Sequence, residues 1–198
     1  VTTNQNWHVI GFAGLCGEPG SQAVVIARLD PNRNGSDRVT HTYASAGPWL
    51  SRMESSARIG PPEHINNPNG SYRVLADVVP SFGAIGNSSP VSGLPPVITF
   101  FQNSVNTFLV PASDANGNTL SFRLGTPAEA TQNGTGTFVE PGPPNAPNAL
   151  SINPTTGLIT WNTTGATLNG SSTTLYSCHV IVQDAPGTSN NRVGIDFM

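Results

Sequence analysis

The sequence predicts an all-β protein arranged as two β-sandwich domains in tandem. Three observations lead there. Apolar side chains recur with a period of two: Leu120, Phe122 and Leu124 alternate with Ser121 and Arg123, and Val193, Ile195 and Phe197 alternate with Gly194 and Asp196. That period marks strands with one buried face. The composition holds 21 Gly and 18 Pro with only 10% charged residues, which favours turns and short strands and leaves little Ala, Leu, Glu and Lys for helices. A length of 198 residues suits two sandwiches of about 100 residues, each burying its own core.

The elements follow in order. Strand-like runs occupy 7–13, 23–29, 38–44, 48–53 and 71–79, separated by the turn clusters "DPNRNGSD" and "NNPNGS". The stretch "NSSPVSGLPP", 87–96, holds three prolines that can neither extend a helix nor sit in a central strand. It divides the chain into expected domains 1–90 and 91–198. Beyond it, strands are expected at 97–102, 106–112, 119–125, 136–140, 150–152, 158–162, 174–184 and 192–198. "PAEATQ" makes at most one helical turn, and 140–149 reads as an extended, polyproline-like loop. The halves show no internal repeat.

Charge excludes several functions. The chain has no lysine, all eight basic residues being Arg, so Schiff-base chemistry, Lys-centred phosphate loops and Lys–Asn isopeptide cross-links are ruled out. A net charge of −3 offers no footprint for nucleic acid. No apolar run approaches the roughly 20 residues of a membrane span. The chain begins at Val1, read here as a processed chain or an excised segment.

"VPASDANGNTLSFRL", "LSINPTTGLITWNTTG" and "LYSCHVIVQD" together resemble the putative-Ig, cadherin-like β-sandwich modules of large secreted and cell-surface proteins. The resemblance covers roughly 95–198. It implies an extracellular or cell-surface location and an Ig/cadherin-like fold. Physically, Asn153-Pro154-Thr155-Thr156-Gly157 makes a tight hairpin with Gly157 free to take positive φ. Leu150, Ile152, Leu158 or Ile159, and Trp161 then fill the core. The first half is similar to the unit preceding such modules in some secreted proteins, and implies a β-rich partner domain.

Two loops present oxygen ligands. Asp114-Ala115-Asn116-Gly117-Asn118 is read first as a hairpin turn, because Asn-Gly is a strong turn signal. Its alternative is a calcium loop with Asp114, Asn116 and Asn118 as ligands and Asp184 as a further carboxylate. No cofactor is required, and calcium is the one candidate. Asp30, Asn32, Asn34, Gly35 and Asp37 match the opening of an EF-hand loop, but His41 stands where the bidentate Glu belongs. That stretch is read as an Asx-rich turn.

Catalytic constellations find little support. His8, His41, His64 and His179 form no H-x-x-x-H pair, and adjacent Cys178 and His179 face opposite sides of a strand. Glu54, Glu63 and Asp77 are read as solvated acids. Cys178, with Tyr176, Val180 and Val182, points into a core as a free thiol, the alternative being a Cys16–Cys178 disulfide. Sequons occur at Asn34, Asn69, Asn87, Asn133, Asn162 and Asn169, candidate N-glycosylation acceptors. The expected function is a non-catalytic structural or adhesive module, partnered by copies of itself or by adjacent modules of a larger chain or filament. The alternative is a lectin-like module in which Trp49 and Arg52 bind glycans.

Overall fold

The computed structural model describes residues 7–13, 22–28, 49–78, 87–170, 173–184 and 191–198. The all-β class holds. Twelve strands are assigned among these residues: β1 (Trp7–Ala13), β2 (Gln22–Arg28), β3 (Trp49–Ser55), β4 (Tyr72–Val78), β5 (Val91–Ser92), β6 (Val105–Leu109), β7 (Ala112–Ser113), β8 (Leu120–Leu124), β9 (Ser151–Ile152), β10 (Leu158–Asn162), β11 (Cys178–Asp184) and β12 (Arg192–Phe197). One helical turn, α1 (Pro127–Ala130), precedes a 3-10 turn at Gln132–Gly134.

β1 and β2 form an antiparallel pair. A five-stranded sheet runs β3-β4-β12-β11-β8, a three-stranded sheet runs β6-β10-β9, and β5 pairs with β7. β4 joins β12 through Arg192↔Asp77, Val193↔Ala76 and Gly194↔Leu75. Residues 49–78 thus share one sheet with residues 120–197, across the Pro-rich stretch at 87–96.

The core lies between the five- and three-stranded sheets. Phe122 of β8, Cys178, Val180 and Val182 of β11 and Phe197 of β12 meet Ile159 and Trp161 of β10, with Val110, Ala146 and Leu150. Of the two residues offered for the β10 core position, Ile159 is buried and Leu158 faces outward. Each fully buried aliphatic chain here contributes about 1.5–3 kcal/mol. The Trp161 indole N–H donates to Asn148 O at 2.9 Å, so the ring is buried without an orphaned donor. The 153–157 hairpin closes through Gly157 N–H to Asn153 O at 2.9 Å. Gly157 has φ 72, and a Cβ there would stand 2.8 Å from the Phe122 ring.

Three expected elements differ. Residues 136–140 form no strand, because Asn66 and Asn67 side chains satisfy the Val139 backbone in place of a ladder. Residues 97–102 form no strand, and two backbone hydrogen bonds tie the segment to the chain end, Ile98 N–H donating to Met198 O and Met198 N–H to Pro96 O. The Asn106 amide occupies both backbone groups of Phe101. The 140–149 loop turns back rather than extending: Asn145 and Ala146 both donate to Gly142 O at 2.9 Å. The expected strand at 38–44 and the Asp30–Asp37 loop, with Asn34 and His41, lie outside the described residues, as does Cys16.

Candidate cation site

The turn after β7 begins at Asp114, whose Oδ1 accepts from the backbone N–H of Asn116 (2.8 Å) and Asn118 (3.1 Å). Gly117 takes φ 76 and donates to Asp114 O at 3.2 Å. This is an Asx turn and not the expected hairpin turn, because β7 pairs with β5 and β8 with β11, so the flanking strands belong to different sheets. Its setting adds a second carboxylate. β11 pairs with β8 so that Asp184 stands opposite Leu120, two residues past Asn118. Asp184 is fully buried.

Asn87 stitches the two segments together. Its Nδ2 donates to Asp184 Oδ2 at 2.6 Å, and its Oδ1 accepts from Asn118 Nδ2 at 2.6 Å. Asn116 Oδ1 accepts from Ser88 N–H at 2.7 Å. Asn191 reaches the same place, donating through Nδ2 to Asn87 O at 3.2 Å. One oxygen of each acid remains: Asp114 Oδ2 and Asp184 Oδ1 are buried with no hydrogen-bond partner.

Such atoms are costly, since a buried acceptor without a donor forfeits its solvation. Burial pushes the Asp184 carboxyl up, the Asn87 hydrogen bond opposes it, and repulsion from Asp114 adds to the rise. A hard cation at the two bare oxygens would reverse both unfavourable effects. The donor set is all oxygen, which suits calcium, although two carboxylates place it among weak sites. Among the described residues no group of three or more His, Cys, Asp or Glu gathers for a metal, so further ligands would be amide or backbone oxygens and water. The four residues proposed from sequence as calcium ligands therefore occupy one place. Asn87, which links them, was marked only as a sequon.

The glycan candidates do not converge. Trp49 and Arg52 lie three apart on β3, which pairs with β4 in continuous register, so their side chains emerge on opposite faces. Arg52 approaches Glu54 at 3.7 Å. Cys178 is a buried free thiol, where a disulfide had been the alternative. Among the sequons, Asn69 and Asn133 are exposed at left-handed turns (φ 57 and 54). The Asn87 amide is engaged with Asp184, Asn169 Nδ2 donates to Thr173 O at 2.5 Å, and Asn162 Oδ1 accepts from Thr164 N–H at 3.0 Å.

A second polar cluster was not foreseen. On the outer face of the five-stranded sheet, His179 and Asp196 are cross-strand partners. Arg58 reaches over them, donating to Asp196 Oδ2 at 2.8 Å and to Ala130 O at 3.2 Å, with its guanidinium 4.9 Å from the Phe138 ring centre. The His179 backbone N–H donates toward both Glu140 carboxylate oxygens at 3.3 Å. Burial pushes Glu140 up to about 8 and Asp196 up to about 6, the latter opposed by Arg58. It pushes His179 down to about 4. Cys178 emerges on the opposite face, its thiol held protonated by burial and by Glu140. The signal available in the sequence was a His and an Asp at outward positions of strands in a chain where charge is scarce.

No family model matches the chain, and no solved structure matches it. Over 139 residues, 68% of the chain, it is 31% identical to the integrin beta-like protein A of Dictyostelium discoideum. The matched stretch is 6% of that protein's length. No helix among the described residues is long and apolar enough to cross a membrane.

Proposed function

We propose that the chain is a non-catalytic, extracellular structural or adhesive module of a cell-surface assembly, with calcium bound between Asp114 and Asp184. The observation that carries this reading is the module-sized similarity to an integrin beta-like protein. The all-β fold supports it. The two bare carboxylate oxygens support the calcium component. Calcium would act by bridging the β7–β8 turn to the end of β11, holding the loop that carries Asn87 between them. The residues themselves do the positioning: Asn87 and Asn118 fix the second oxygen of Asp184, and the Asn116 and Asn118 amides fix Asp114.

The test is adhesion. Beads coated with the full chain should aggregate, or capture cells bearing it, in calcium and lose that behaviour in chelator. Beads that stay dispersed in both conditions, while the chain remains folded, would sink the adhesive reading.

A further inference from the structure

β6 is an edge strand, and among the described residues β10 is its one ladder partner. The ladder's parity fixes where its remaining backbone groups point. Thr163 N–H donates to Ser104 O at 2.9 Å and Val110 N–H to Gly157 O at 3.1 Å. Even-numbered residues from 104 to 110 therefore direct their backbone toward β10, and Val105, Thr107 and Leu109 direct theirs to the open edge. The same three side chains lie on the outer face, where Val105 is 65% exposed, Leu109 57% and its cross-strand partner Leu158 39%.

Exposed edges are ordinarily guarded by charge, proline or a bulge. The other sheet follows that rule: its edge strands carry Arg52 and Glu54 on β3 and Arg123 on β8. β6 carries none of these guards. No Asp, Glu, Lys or Arg occurs from 78 through 113 or from 141 through 183, so the three-stranded sheet is free of charge throughout.

We infer that the β6 edge docks β6 of a second copy, antiparallel and centred on Thr107. Two observations select this occupant. The register is self-complementary: Thr107 meets Thr107 of the other copy and Val105 meets Leu109, apolar against apolar, with ~six backbone hydrogen bonds from the outward groups. Copies of a chain with net charge −3 repel generally, and this sheet is a surface where they meet without opposing like charges. The product is a six-stranded sheet, β9-β10-β6 continued by the same three strands in reverse. This names a partner for the adhesive reading and rests on that reading for its biological use, though not for its geometry.

The experiment uses the full chain with Cys16→Ser as background. Thr107→Cys places two thiols across the pairing axis, where facing Cα atoms stand roughly 5.5 Å apart, within reach of a short bismaleimide. Covalent dimer should form quickly from Thr107→Cys and at least tenfold more slowly from Ser151→Cys on β9. In sedimentation, the parent should show a concentration-dependent dimer that Thr107→Lys and Thr107→Pro both weaken at least tenfold, with unchanged circular dichroism and melting. Equal cross-linking at both positions, a parent that stays monomeric to ~millimolar concentration, or a dimer indifferent to Thr107→Lys would each overturn the inference. Dimers without bead adhesion would sink the adhesive reading alone. A dimer lost in Thr107→Lys with adhesion unaffected would uphold the β6 contact and strike its adhesive use alone.

Discussion

Replacing the fully buried His179 with Leu measures what it costs to keep an imidazole in a dry layer. Neither ring nitrogen has a hydrogen-bond partner. The ring is pressed between Gly125 and Gly194, whose added Cβ atoms would stand 2.3 and 2.9 Å from it, with the Phe138 ring centre 6.3 Å away. Burial lowers the folded value to about 4 against 6.5 for the free residue. The unfolded chain thus takes up the proton first. Stability from the neutral ring is fully present above about 6.5 and is lost as pH falls through about 4. That gap corresponds to roughly 3 kcal/mol, or about 10 °C in melting temperature for a chain of this size. Asp196 and Glu140, both raised, gain stability over the same range, so the quantity to follow is the difference between wild type and His179→Leu. Urea unfolding at half-unit steps from pH 8 to 4 should give a constant difference above pH 7, then a relative loss of about 3 kcal/mol for the wild type by pH 4. A difference that stays flat to pH 4 would refute the argument.

Two further outcomes follow from the same physics. Glu140, raised to about 8, contributes stability that is present below about 4.5 and lost as pH rises through 8. Wild type should therefore weaken relative to Glu140→Gln across that window in the same urea series, and parallel curves would contradict it. Gly157→Ala forces a positive φ on an L side chain and drives a methyl group into Phe122. It should cost about 1–3 kcal/mol by chemical denaturation, and an unchanged midpoint would show that the hairpin can relax.

Local chemistry was legible, and long-range pairing was not. The 153–157 hairpin and the inward set of β11 could be read directly, because turn residues and a period of two act over a few neighbours. The choice of Ile159 over Leu158 needed the register of β10 against β6. Composition at 87–96 suggested a domain boundary, whereas the pairing of Asp77 with Arg192 joins residues over a hundred positions apart on either side of it and leaves no local trace. The missing strand at 136–140 has the same origin: Thr137, Phe138 and Val139 are β-prone, but the distant Asn66 and Asn67 took the Val139 backbone groups. At the cation site, Asp114, Asn116, Asn118 and Asp184 could be listed as oxygen donors. Asn87 looked like an acceptor for sugar, because nothing in its neighbours announces a carboxylate 97 positions away.

The melting temperature of the wild type and of Asp184→Asn, each in calcium and in chelator, tests the central claim most directly. The wild type should melt higher in millimolar calcium than in chelator. Asp184→Asn keeps an acceptor for Asn87 while removing the buried charge beside Asp114, so it should melt higher than the wild type in chelator and show no response to calcium. Identical melting of the wild type in calcium and chelator, or a calcium response that survives in Asp184→Asn, would contradict the account.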